Sequence, residues 1–341
     1  MKFIATTFLL VVVPAIASTH HSVSALFDRD TTIEVEGEIT RVFWRNPHVR
    51  LWISDSDGEV WEIETNDVNL LERSRITRDF FAEGDVIRAA GSPARRTEHS
   101  LFATNVLFSD GREALVWFGA TPRWSANPID FNERHPIAEA EASTAREHAN
   151  GIFRVWSPFG GQAWNIPPLT EAAVASRGRW NPLSDDPTLR CMAPGMVEAI
   201  VSPYPMEIAE KGGDIIIRME EWGGTRRVHM SDIRNRENVP TTPMGYSVGH
   251  WEDNTLIVST NRISWPYFDN SGTPQSKDVE MVERFTMTDD EQRMAWEVII
   301  TDPVNLTEPA MVRQQYEWVP GVQIQMWNCT LPDEVEPRGT K

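Results

Sequence analysis

Residues 246–260 read Tyr246-Ser247-Val248-Gly249-His250-Trp251-Glu252, then Asp253-Asn254, then Thr255-Leu256-Ile257-Val258-Ser259-Thr260. Two runs rich in β-branched and aromatic residues, joined by two residues that tolerate positive φ, are the pattern of a tight antiparallel hairpin. Similar runs flank it on both sides. Strands are expected at Asp214–Met219, Arg226–Met230, Val279–Met287, Ala295–Thr301, Arg313–Trp318 and Gln323–Trp327, with a turn at Asp289-Asp290-Glu291. About eight strands of even length and spacing predict a closed, antiparallel, lipocalin-like barrel over residues 206–332. Residues 333–341 read as a loose tail.

Upstream, alternation returns in a shorter module. Ile33 to Ile39 alternates and runs on into Val42-Phe43-Trp44, Asn46-Pro47 breaks the pattern, and His48 to Ile53 resumes it. Val60–Glu64, Gly84–Ala89 and Leu101–Phe108 follow, with a short helix expected over Asp67–Ser74. Five strands and one helix predict a small OB-like barrel within residues 18–115. Residues 116–205 hold a crowd of prolines and two Ala-rich helical stretches, Ile137–His148 and Thr170–Arg177, with Thr170 as N-cap of the second. This reads as an ordered, Trp-bearing connector. The fold class is therefore mostly β: two barrels of unequal size with a Pro-rich, partly helical connector.

The first seventeen residues read as a signal peptide. Lys2 precedes an apolar run from Phe3 to Ile16, and Ala15-Ile16-Ala17 has the small-x-small form of a cleavage site. The run is too short for a stable membrane span, which needs about 20 residues. A periplasmic or secreted protein beginning at Ser18 is expected, with no membrane insertion after processing. In that compartment Cys191 and Cys329, the only two cysteines of 341 residues, form either one disulfide or two buried thiols. A bond closing so long a loop contributes roughly 4 kcal/mol in the chain-entropy model.

Formal net charge is −18, from 32 Lys and Arg against 50 Asp and Glu. Such a surface repels phosphate backbones, so nucleic acid is not an expected partner even though OB-like barrels often bind it. The chain also carries 14 Trp against 4 Tyr, which points to large rigid apolar faces or an aromatic-lined cavity and hence to a small-molecule ligand.

Two stretches resemble an uncharacterised family of exported, periplasmic bacterial proteins. The first is His20-His21-Ser22 with Phe27-Asp28, Gly37, Trp44, Asn46-Pro47-His48 and Gly84-Asp85. The second runs from Arg190-Cys191 and Pro194-Gly195 through Pro203-Tyr204-Pro205 and Arg227 with Asp232 and Arg234. It ends with Gly245 to Leu256, Val282-Glu283-Arg284-Phe285 and Asp302-Pro303. The resemblance implies an exported β protein and carries no activity with it. Where relatives place a His-Pro pair after the Arg234 position, this chain has Arg236 and Glu237.

Three sets of residues are candidates for chemistry. In the large barrel, charged residues interrupt apolar alternation at Arg227, His229, His250, Glu252, Glu283, Arg284 and Glu297, so either strand parity turns some of them inward. His250 with Glu252, Arg227 and His229 could move a proton and hold an anionic oxygen, which suffices for a cofactor-free lyase, isomerase or hydratase. The same residues also read as surface cross-strand pairs. Trp251 and Arg284, with the aromatic loop holding Trp265, Tyr267 and Asp269, are the candidate ligand contacts. That loop reads equally as a lid or as a plug of the barrel end. At the processed N-terminus a free amine, His20 and His21, with His48 approaching from the small barrel, suit Cu(II). Copper is the one cofactor considered; otherwise none is expected. No Walker loop, dinucleotide fingerprint, His-Glu-x-x-His helix or haem attachment motif is present. Catalyst, non-catalytic carrier or sensor, and copper-handling protein remain as alternatives.

Overall fold

The computed structural model describes residues 23–129, 136–231 and 239–331. The segment read as a signal peptide, His20, His21, Asp232, Arg234 and the segment read as a tail lie outside the described residues. After a short helix, α1 (Val23–Leu26), the strands β1 (Ile33–Phe43), β2 (Arg50–Ser54), β3 (Val60–Glu64), β4 (Val86–Pro93) and β5 (Ser100–Phe108) form the first barrel. β1 pairs with both β2 and β4, and β3 meets β5 in parallel, which closes five strands on themselves. The eleven-residue β1 serves two partners because it carries a bulge between Ile39 and Arg41 that bends it. A matching bulge at Ala90/Gly91 brings β4 so close to β5 that a Cβ on Gly91 would stand 2.0 Å from the Phe102 carbonyl oxygen. Only glycine fits there.

The helix α2 (Val68–Arg73) caps one end of this barrel. Its N-cap Asp67 accepts from the Leu70 amide at 2.9 Å, and Leu70 and Leu71 are buried in the barrel core with Ile39, Leu51, Ile53 and Phe81. A short strand β6 (Glu113–Leu115) extends the sheet from β5.

After β6 come helix α3 (Glu139–Glu147), strands β7 (Val155–Pro158) and β8 (Ala163–Asn165) and helix α4 (Glu171–Arg177). The remaining strands are β9 (Met206–Lys211), β10 (Asp214–Met219), β11 (Thr225–His229), β12 (Tyr246–Glu252), β13 (Thr255–Asn261), β14 (Glu280–Met287), β15 (Arg293–Thr301) and β16 (Ala310–Glu317). They close a second barrel of nine strands, in which β7 bridges β9 and β16 and β16 returns to β15. All neighbours are antiparallel except β11 and β12, which pair in parallel. β8 pairs with β16 outside the ring. The hairpin at Asp253-Asn254 joins β12 to β13 in the expected register, with Glu252 opposite Thr255.

Three details depart from the pattern read in the sequence. Gln323–Trp327 is not a strand; β9, and β7 from the segment read as connector, complete the barrel instead. The C-terminal segment leaves the second barrel and packs on the first. There Trp327 is buried edge-on to Tyr204, Asn46 pairs with Cys329, and the Thr330 amide donates to the Asn46 carbonyl at 2.9 Å. Cys329 is disulfide-bonded to Cys191. The fully paired row of apolar residues in β14 to β16 therefore ends at Glu317, because the chain beyond gains more by covering Tyr204 and Trp222.

The two barrels meet through a polar seam. The Glu220 carboxylate accepts from the Arg73 guanidinium, from Asn69 Nδ2 at 3.1 Å and from the Gln325 amide at 3.0 Å. Beside it the Tyr204 hydroxyl donates to Asp67. Burial pushes the Asp67 carboxyl up to about 7, against the pull of the Tyr204 and Leu70 hydrogen bonds. Among the described residues no helix is long and apolar enough to cross a membrane.

Candidate functional site

The lumen of the nine-stranded barrel is a packed core. Trp156, Phe285, Trp296 and Tyr316 fill it, with Phe285 stacked on Trp296 at 5.2 Å. Among the described residues, Arg226 and Glu283 form a fully buried charged pair in it. Arg226 forks onto Glu283 through two bonds of 2.7 and 2.5 Å, Thr260 Oγ1 donates to Glu283 Oε1 at 3.1 Å, and Trp296 Nε1 donates to Oε2 at 3.1 Å. Strand parity thus turns Arg226 and Glu283 inward and their neighbours Arg227 and Arg284 outward.

The candidate proton-transfer residues follow that parity. His250 Nε2 lies 3.2 Å from Glu252 Oε1, and Arg284 reaches Glu252 Oε2 at 3.4 Å, all on the outer face. Hydrogen bonding from His250, outweighing desolvation and aided by Arg284, lowers the Glu252 carboxyl below its usual value. Arg227 and His229 share Asp214 at 3.1 and 3.3 Å, with His229 against the Tyr246 ring. Trp251 is exposed on the same outer wall, 6.4 Å from Phe153. Gly245-Tyr246-Ser247-Val248-Gly249 has the spacing of a hydrolase nucleophile elbow, yet it is no sharp turn. Ser247 is buried in mid-strand and shares a hydrogen bond with Thr260 Oγ1 at 2.9 Å. In the small barrel His48 is buried, with Nδ1 2.9 Å from the Thr65 carbonyl and 3.7 Å from Glu64. Among the described residues, no three His, Cys, Asp or Glu side chains gather in a metal-binding group.

The aromatic loop leads to a different place. Gln275 ties it to the connector, accepting from the Val197 amide at 3.2 Å and donating to the Met196 and Trp265 carbonyls at 3.0 and 2.7 Å. Gly195 passes so close to the loop that a Cβ would meet Trp265 Cβ at 2.7 Å. This clamp orients the 3-10 turn Glu198–Val201, whose Glu198 Oε2 accepts from Trp265 Nε1 at 2.7 Å. Tyr267 packs edge-on against Trp180 at 4.6 Å. Asp269 shapes the loop tip by accepting from the amide and hydroxyl groups of Ser271 and Thr273.

Between this loop, the 3-10 turn and the end of β10 lies a cavity of about 360 Å³. Trp164, Ile166, Val201, Met219 and Trp222 supply its apolar walls, Glu198, Glu221 and Asp269 its acidic groups, and Arg177 stands at its rim. That volume falls within the range of small-molecule sites. Burial pushes the Glu198 carboxyl up to about 8; the Trp265 hydrogen bond opposes this, and the charges of Asp186 and Asp269 add to it. Glu221 is raised well above its usual value by burial, reinforced by Asp67 and Glu198. Glu198 therefore holds its proton at neutral pH. Glu198 Oε1 has no hydrogen-bond partner among the described residues, nor has the buried Trp164 Nε1.

Of the residues singled out in the sequence, Asp269 thus lines the cavity, Trp265 touches its wall through the hydrogen bond to Glu198, and Tyr267 packs behind on Trp180 and Trp265. The residues that dominate it, Glu198, Glu221, Trp164 and Trp222, were missed. One signal was available: in Met196-Val197-Glu198-Ala199-Ile200-Val201 a single carboxylate sits inside an apolar run. Residues 8–102 match the model of a family of unknown function (DUF6152), which covers the small barrel up to the first residues of β5. No curated protein matches the chain.

Proposed function

We propose that this chain is an exported small-molecule-binding protein whose ligand, apolar or aromatic in its body, occupies the cavity at the end of the nine-stranded barrel. The observation that carries the reading is the cavity itself. Indole and aliphatic walls surround a buried carboxyl group that keeps one oxygen without a protein partner, which is how a site fixes the orientation of an otherwise apolar ligand. The Cys191–Cys329 disulfide supports an oxidising compartment, in line with the leader-like N-terminus.

The test is Trp fluorescence with a panel of small aromatic and alicyclic compounds, comparing the native protein with Ala199→Trp, which fills the cavity. Binders lost in Ala199→Trp, with the circular dichroism spectrum retained, are the expected result. Equal binding by both proteins refutes the site.

A second reading, proton-transfer catalysis in the same cavity, draws on the proton that Glu198 retains at pH 7 beside an unfilled hydrogen-bonding position. Turnover of a bound compound that vanishes in Glu198→Gln while binding persists supports it; turnover unaffected by that change rejects it.

A further inference from the structure

We infer that the ligand is an organic cation, an aromatic or alkyl amine whose ammonium group sits against Glu198 between the indole walls. This rests on the cavity being the ligand site. Three acidic side chains border it, and Asp186 stands behind Glu198, buried and with Oδ2 lacking a hydrogen-bond partner. Against them stands Arg177 alone, exposed at the rim and making no ion pair among the described residues, where water screens its charge. An anionic ligand would add charge beside Glu198, Glu221 and Asp269, with only the exposed Arg177 lining the cavity to receive it. A neutral one would leave Glu198 protonated, as in the free protein. A cation gives an ionised Glu198 a partner.

The walls suit the same chemistry. Trp164 and Trp222 line the cavity, and indole is the strongest of the aromatic partners for a cation. Glu198 Oε1 accepts an N–H from the ammonium while Trp265 holds Oε2 in place. At long range the net charge of −18 raises the local concentration of cations.

The exchange balances. Protonated Glu198 and a free ammonium give a carboxylate–ammonium pair and one proton released to solvent. Burial, with the charges of Asp186 and Asp269, holds Glu198 towards its protonated form in the free protein, and the Trp265 hydrogen bond opposes them. Ligand affinity should then rise about tenfold from pH 6 to pH 7 and level off above pH 8, as the competent ionised fraction grows.

The experiment titrates the full mature protein with 2-phenylethylammonium, 2-phenylethanol and phenylacetate by calorimetry at pH 6, 7 and 8. Two buffers of different ionisation enthalpy count the protons. Expected are binding of the ammonium at least about tenfold tighter than the alcohol at pH 8, the pH rise above, and close to one proton released at pH 6, falling to about one half at pH 8. In Glu198→Gln the rise and the release should vanish. If the alcohol or phenylacetate binds as tightly as the ammonium, or ammonium affinity is flat with pH, the cation inference falls and the cavity reading stands. If none of the three binds, or Ala199→Trp leaves their binding unchanged, both fall.

Discussion

Two buried acidic sites lie within one domain and were given opposite surroundings. Glu283, in the barrel lumen, has a guanidinium fork, a hydroxyl and an indole N–H around its two oxygens. Glu198, at the barrel end, has one indole N–H, two further acids nearby and a cavity in front of it. The first arrangement gives both Glu283 oxygens their partners without anything else, leaving only Arg226 Nε over, and specifies how β11, β13, β14 and β15 pack. The second is complete only when something enters. A buried charge that the fold satisfies is structure, and one that it leaves unsatisfied beside a cavity is a binding group.

The largest effect expected from this contrast is in the lumen. Glu283→Ala strands Arg226 in a dry core and should cost about 3–5 kcal/mol in urea denaturation, whereas the double replacement Arg226→Met with Glu283→Leu should recover most of that loss. If the single change costs less than about 1 kcal/mol, the lumen pair is not the closed site described, and the contrast with Glu198 fails.

Next comes pH. Glu198 titrates near its ordinary value of 4.5 when unfolded and about 8 when folded, so the unfolded chain gives up its proton first as pH rises. Stability from this group is fully present below about pH 4.5 and is lost as pH climbs to about 8, by about 3 kcal/mol between pH 5 and 8. Asp67, raised from 3.8 to about 7, acts in the same direction across the barrel seam. Glu198→Gln should flatten the decline and leave the variant more stable than the native protein at pH 8. A variant that is less stable at every pH would show that Glu198 is held as a structural carboxylate like Glu283.

Trp265→Phe probes the single donor that the fold gives Glu198. Removing it takes away a bond that favours the ionised form, so the carboxyl should titrate higher still and the midpoint of ammonium binding should move up in pH. Stability should fall by about 1–2 kcal/mol, the usual effect of leaving a buried acceptor short of a donor. An unshifted binding profile would mean that the indole packs without tuning the acid.

The barrels were readable because alternation and turn residues are local signals. The hairpin around Asp253-Asn254 is present with the register its sequence implies, and the five-stranded ring forms around the strands read from Ile33 to Phe108. Membership of the second ring was less legible. β7 is four residues long and lies among prolines, and it joins the barrel only because β9 and β16 leave a place for it. Parity was ambiguous for a similar reason. In Thr225-Arg226-Arg227-Val228 both arginines suit a strand, and only Glu283 across the lumen decides which turns inward. The cavity was hardest to see, since Trp164, Glu198 and the pair Glu221-Trp222 come from three separate segments that meet through Gln275, the loop and the end of β10. Yet an acid within an apolar run is visible in one dimension, and Glu198 is such a residue.

The smallest effect lies on the outer wall of the same barrel. Across it the row His250, Ile257, Arg284, Glu297 and Arg313 is set by strand register, with Arg313 Nε 2.7 Å from Glu297 Oε1 in open solvent. Water and salt screen such pairs, so Arg313→Ala should change stability within about 0.5 kcal/mol and lose even that at high ionic strength. His250→Ala should leave ligand affinity and its pH dependence untouched, because the imidazole faces away from the cavity and pairs with Glu252. Should His250→Ala instead abolish binding or turnover, the functional surface would be the outer wall of β12. The charged residues that alternation first drew out would then matter more than the acids the fold has buried.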